Sequence, residues 1–242
     1  YMRRRPARRM WSAVKSGLLR VARVSHLSTA AARGPKPPPK ARRSSKANSN
    51  KGAGRSPLRG ELSRASRADQ VLDALSRARA AKTKLDPITV ATAIHRLGKF
   101  RANPRDERVA WMVKTAIGSF GSMGAQGLAN SAWGLTKLRV RDEKVWRSIS
   151  INAQRVKADF VPQAISNLVW GLATLDVSPS ADLVVAMSGE AVAKRKDFKA
   201  QEIANLLWAL ATSGVSPSAE LVVAMSGEAV AKRKDFDPQA IA

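Results

Sequence analysis

Residues 163–200 read QAISNLVWGLATLDVSPSADLVVAMSGEAVAKRKDFKA, and residues 201–238 follow without a gap as QEIANLLWALATSGVSPSAELVVAMSGEAVAKRKDFDP. The period is 38 residues, and Gln239, Ala240, Ile241 and Ala242 begin the pattern again. Upstream, residues 126–162 are a 37-residue copy, and residues 88–125 open a more divergent one with ITVATAIHRLGKF. Self-similarity at this period marks stacked units, because a segment so short cannot bury its apolar face alone. Residues 177–198 and 215–236 match at 21 of 22 positions, differing only at Asp182 against Glu220. Recent duplication explains that identity without any appeal to function.

Within each copy the first segment places apolar residues on one helix face, as at Ile203, Leu206, Leu207, Leu210 and Ala211. A second helix is expected over about 179–196, with Ser178 as its cap, Pro179 in the first helical position and Asp182 in the positive first turn. Its weak point is the β-branched run 183–187, which also suits a short buried strand, with Gly189 costing a helix roughly 1 kcal/mol. No hairpin turn flanks that run, so the expected fold is all-α: an α-solenoid of stacked helix-turn-helix repeats of about 38 residues, behind a disordered basic N-terminal region.

The divisions that follow are 88–125, 126–162, 163–200 and 201–238 as four repeats, with 239–242 starting a fifth. Residues 61–87 carry Val71, Leu72 and Leu75 on an Arg-rich helix and are expected to be the second half of a preceding repeat, capping the stack. Tyr1 precedes a plausible initiator Met2, and the chain stops inside a repeat, so the sequence is expected to be a fragment of a longer protein.

Charge is distributed unevenly. The net charge is +25, of which +17 falls in residues 1–60, where no acid occurs, and +8 in residues 61–242. Residues 1–33 are Arg-rich, acid-free and dotted with hydroxyls, with Trp11, Val14, Leu18, Val21 and Ala22 at helical spacing. That is the pattern of an organelle-import presequence, a basic RNA-binding arm being the alternative; the abundance of arginine favours the mitochondrial matrix over the plastid. Residues 34–60, rich in Pro, Ser, Lys and Gly, are expected to be a disordered linker.

The chain has no cysteine, and its histidines are His26 and His95, which excludes disulfide frameworks and cysteine nucleophiles and leaves little for metal or Ser-His-Asp chemistry. No apolar run approaches the ~20 residues of a membrane span, so no membrane insertion is expected. Catalytic residues, metals and cofactors are all expected to be absent, and the chain is read as a non-enzymatic binding protein.

The shared core Pro-Gln-x-Ile-x-Asn-Leu-x-Trp-x-Leu-Ala, seen from Pro162 to Ala173 and echoed from Gln201 to Ala211, resembles the octotricopeptide repeat. It is similar also to the helical-repeat region of FASTK-like proteins and of RNA-editing substrate-binding complex subunits. The resemblance covers residues 61–242 and implies binding of single-stranded organellar messenger or ribosomal RNA, in stabilisation, processing or translation, with other ribonucleoprotein subunits as partners. Many such proteins end in a RAP domain, whose signature this sequence lacks, so no activity housed there is carried over. Ser131 and Ala132, and His95 in the place of Trp, depart from the pattern.

Three sets of residues are candidates for that role. Lys194, Arg195 and Lys196 recur as Lys232, Arg233 and Lys234, with Arg155 and Lys157 near the equivalent place, and a basic stripe at repeat spacing suits a phosphate-tracking surface as well as it suits solvated helix ends. Asn130, Asn167 and Asn205 occupy one helix position and suit either base reading or a tie to neighbouring backbone. Trp133, Trp170 and Trp208, three residues later, suit packing between repeats, or stacking on bases. Gly118, Gly121, Gly124 and Gly127 read as an inter-repeat turn rather than a phosphate cradle, and Asp142, Glu143, Asp235 and Asp237 as solvated surface. The rival class is a protein-interaction scaffold built on the same stacked helices.

Overall fold

A computed structural model describes residues 56–175, 181–212 and 217–235. The expected presequence at 1–33 and most of the expected linker lie outside the described residues. Within them there are ten α-helices and no strand: α1 (Pro57–Arg64), α2 (Ala68–Ala80), α3 (Pro87–Lys99), α4 (Glu107–Ser119), α5 (Ala125–Lys137), α6 (Glu143–Arg155), α7 (Pro162–Thr174), α8 (Ala181–Ala193), α9 (Ala200–Thr212) and α10 (Ala219–Ala231). The run 183–187 is therefore helical. Odd-numbered helices pack on one another in sequence, α1 on α3 on α5 on α7 on α9. Even-numbered helices form a second layer, α2 to α10, behind them. This two-layer stack is the all-α repeat architecture expected, and one continuous core runs through it from Leu62 to Met225.

Small residues set the spacing of the first layer. A Cβ on Gly98 would lie 2.6 Å from the Gly134 Cα, and one on Gly134 would lie 2.4 Å from the Ile94 carbonyl oxygen. A Cβ on Gly171 would meet the Thr136 hydroxyl at 2.7 Å. Parallel first helices therefore approach backbone to backbone, as only glycine allows. Behind them the second helices bring larger groups such as Trp146, which is 1% exposed and donates its indole N–H to the Val140 carbonyl at 2.7 Å.

Three expectations are corrected. The sequence leads one to expect half a repeat over residues 61–87 and a linker reaching residue 60, yet α1 begins at Pro57 and packs on α3 as a shortened first helix. Leu58 and Leu62, four residues apart, supply its apolar stripe, and Leu62 is fully buried. Burying one such side chain is worth about 1.5–3 kcal/mol, which turns a Pro/Ser-rich flank into the start of a helix. The second-helix start differs too. Ser178 and Pro179 lie outside the described residues, but in the next copy the cap is Ser218, whose Oγ accepts the Leu221 N–H at 3.2 Å, with Pro217 ahead of the cap. Finally, α8 stops at Ala193 rather than continuing to Lys196, and a 3-10 turn, Arg195–Asp197, replaces its last stretch. Equivalent turns occur at Phe120–Ser122, Lys157–Asp159 and Arg233–Asp235.

Candidate functional site

The 3-10 turns line up along the edge of the stack where the first helices begin, and α6, α8 and α10 each pack on the turn of the preceding repeat. A tight turn leaves carbonyl oxygens without helical partners. In this chain a basic side chain from the following repeat meets them. Lys194 donates from Nζ to the carbonyls of Ala158 (2.7 Å) and Phe160 (2.9 Å), and pairs with Glu190 at 2.6 Å. Lys232 repeats this on Lys196 O (2.7 Å) and Glu228 (3.1 Å). Arg155, one position earlier in its repeat, donates to Met123 O at 3.0 Å.

The basic triplets thus divide. Lys194, Lys232 and Arg155 are stitches between repeats. Lys157, Lys196, Arg233 and Lys234 are exposed, and Arg195 is half-buried. Arg195 and Arg233 sit back against their own helix ends, donating to Val192 O (3.3 Å) and Val230 O (3.4 Å). Lys157, Arg195 and Arg233 occupy one position 38 residues apart, and Asp159, Asp197 and Asp235 close the same turns, so the edge is mixed in charge with a basic excess in the last two repeats.

The first helices present a second surface. Their second, sixth, ninth and thirteenth residues share one face: Ile88, Gln126, Gln163 and Gln201; Thr92, Asn130, Asn167 and Asn205; His95, Trp133, Trp170 and Trp208; Lys99, Lys137, Thr174 and Thr212. Of the asparagines, Asn130 accepts the Gln126 amide N–H at 2.9 Å within its own helix. Asn167 keeps a buried Oδ1 without a partner, and Asn205 is wholly buried with neither amide atom bonded. Among the described contacts none of the three ties backbone between repeats; Ser166 does that, its Oγ donating to the Glu202 carbonyl at 2.9 Å. Trp170 is buried, whereas Trp133 and Trp208 are half-buried.

Sequence reasoning passed over Lys137. Its ammonium lies 4.9 Å from the Trp170 ring centroid and 5.6 Å from that of Trp133. His95 and Trp133 meet with centroids 4.8 Å apart. Burial, then the positive charge of Arg101, pulls the Lys137 pKa below the ordinary lysine value. The signal was present: Lys137 stands one helical turn beyond Trp133, on the face that carries the tryptophans.

The remaining motifs have structural tasks. Gly118 lies in α4, Gly124 is the N-cap of α5, and Gly127 is inside α5, so the glycine period spans a repeat junction. Asp142 caps α6, accepting the Lys144 N–H at 2.8 Å. Asp235 closes an exposed turn, and Asp237 and His26 lie outside the described residues. Among the described residues no group of three or more His, Cys, Asp or Glu gathers as a metal site would require, and no helix is long and apolar enough to cross a membrane.

Residues 61–242 match the family model described as RNA-editing substrate-binding complex 6 protein. No curated protein matches the chain.

Proposed function

The chain belongs to the RNA-editing substrate-binding complex 6 protein family, and on that premise we propose that it is a non-enzymatic subunit that binds single-stranded RNA in an organellar ribonucleoprotein. The observation that most supports this is a helix face carrying amide, aromatic and cationic side chains in register, bordered by exposed cations that recur every 38 residues. Phosphates need cations and unpaired bases need flat rings and amide edges; on this face the exposed Gln126 and the half-buried Asn130, Trp133 and Trp208 offer the latter, Asn205 and Trp170 being buried. The specific form of the proposal is octotricopeptide-type binding of mitochondrial messenger or ribosomal RNA, with the plastid as alternative compartment and transcript stabilisation, processing or translation as the outcome.

The test leaves the stitching residues in place. Changing Lys157, Arg195, Lys196, Arg233 and Lys234 to Gln is expected to weaken binding of a labelled single-stranded RNA and make its salt dependence shallower, with Tm little changed. Binding equal to the parent's would remove that edge from the RNA interface.

A protein-interaction scaffold is the second reading. It draws on Ile151, Val185, Val223 and Val230, all exposed on the second layer, where α8 and α10 are apolar on nearly every side. Crosslinking in organelle extract separates the two, since recovery of protein partners without RNA would favour the scaffold.

A further inference from the structure

Three of the helix ends in the N-terminal half share an unusual feature. Lys82, Arg101 and Arg139 follow α2, α3 and α5 with φ of 50°, 51° and 57°. This left-handed position after a helix is where glycine is normally found, because a Cβ there is strained. The hydrogen bonding is that of a glycine-terminated helix: Arg101 N–H donates to Gly98 O at 3.1 Å and Ala102 N–H to Leu97 O at 3.0 Å, and Arg139 and Val140 repeat the pair on Thr136 and Leu135. Each place therefore holds a cation in a backbone conformation that glycine would adopt without strain.

Arg101 is close enough to Lys137 for the two like charges to disfavour each other, and Arg139 holds the equivalent place one repeat on. No salt bridge among the described residues includes Arg101, Lys137 or Arg139; the acids that pair do so elsewhere. Lys137 is held instead over Trp170 and Trp133, and the His95–Trp133 ring pair lies half-buried beside it. A cation held over two aromatic rings, with two more cations at the same helix ends and no ion pair to any of the three, forms a surface completed by an anion with a flat group attached.

We propose that this cluster, at the C-terminal ends of α3 and α5, is a nucleotide subsite for single-stranded RNA: Arg101, Lys137 and Arg139 take the phosphates, and the His95–Trp133 pair takes an unpaired base. The proposal rests on the RNA-binding reading above and places a second contact at the opposite end of the first helices from the basic turns.

The test uses the full chain and a fluorescein-labelled, mixed-sequence single-stranded RNA of about 20 nucleotides, titrated at several salt concentrations. Each phosphate contact on a single strand contributes about 0.7 to the slope of log affinity against log salt, so the double variant R101G/R139G should flatten that slope by about 1.4 and bind roughly tenfold more weakly or worse. Because glycine suits the left-handed position, the same variant should unfold at an equal or higher temperature, which separates lost binding from lost folding. K137Q should weaken binding as well, and a duplex of the same sequence should bind more weakly than the single strand. If the parent binds RNA while R101G/R139G and K137Q match it in affinity and slope, the subsite is overturned and the functional reading stands. A parent that binds no RNA overturns both. Equal binding of duplex and single strand rejects the base contact. Should the glycine variant prove less stable, K137Q decides alone, unchanged affinity again overturning the proposal.

Discussion

Lys194 and Lys196 are two residues apart in the same basic triplet, yet they do different things. The first reaches back to two carbonyls of the preceding repeat and to Glu190, with about a quarter of its side chain exposed; the second points to solvent. Hydrogen bonds to a charged group are worth roughly 1.5–3 kcal/mol when sheltered, and partial exposure reduces that. Lys194→Ala is accordingly expected to cost about 1–2 kcal/mol, and Lys196→Ala less than about 0.5 kcal/mol, as denaturant titration would show. Glu202 provides a pH-dependent case. Burial raises its pKa, against the lowering effect of the Lys199 backbone N–H at 2.9 Å and the charges of Lys199 and Lys232. A carboxyl whose folded pKa lies above its unfolded value of 4.5 binds more protons when folded, so stability falls as pH rises from that value through the folded pKa, and the cost persists at neutrality. Glu202→Gln keeps an oxygen for Lys199 and removes the charge; it should raise Tm at pH 7 and abolish the decline over that window, and a lower Tm at pH 7 would contradict the account.

Glycines inside helices look alike in a sequence and behave oppositely in the stack. Gly134 faces the backbone of α3, where an added Cβ would meet Ile94 O at 2.4 Å, whereas Gly189 and Gly227 have nothing within 4 Å. Gly134→Ala should force α3 and α5 apart and cost about 1–3 kcal/mol. Gly189→Ala and Gly227→Ala should each add about 0.5–1 kcal/mol through helix propensity alone. Thermal melts of the three variants check both signs. Helix boundaries were hidden even where a cap is chemically distinctive: Asp142, which reads in the sequence as solvated surface, caps α6. They were not legible where two serines compete, because Ser216 and Ser218 are equally good caps in isolation and only the packing of Leu221 into the core selects the later one. The 3-10 turns were equally hidden: nothing in Lys194, Arg195 and Lys196 announces a turn until the carbonyls it frees find Lys232 in the next repeat.

At the scale of the whole molecule, stability is distributed along a line, since each repeat touches only its neighbours. In α10 only Leu221 and Met225 are buried, whereas α3 buries Val90, Ala91, Ala93, Ile94 and Leu97. Native-state hydrogen exchange should therefore be fastest in α10 and slowest across α3 and α5, and uniform protection would contradict a nearest-neighbour stack. The charge of +25 follows a different division, most of it lying in residues 1–60, so RNA binding by the repeats rests on a few placed cations rather than on the total. The sequence by itself determined the repeat, its period, the helical pairing and the all-α stack, because apolar spacing and self-similarity are local properties that any reading of the chain recovers. Only the tertiary structure decided which lysines are stitches and which are free, that residues 57–64 complete a helix pair, and that Arg101, Lys137 and two aromatic rings converge. Those outcomes depend on carbonyls, rings and charges contributed by different repeats, and no single repeat contains the partner that gives its residues their role.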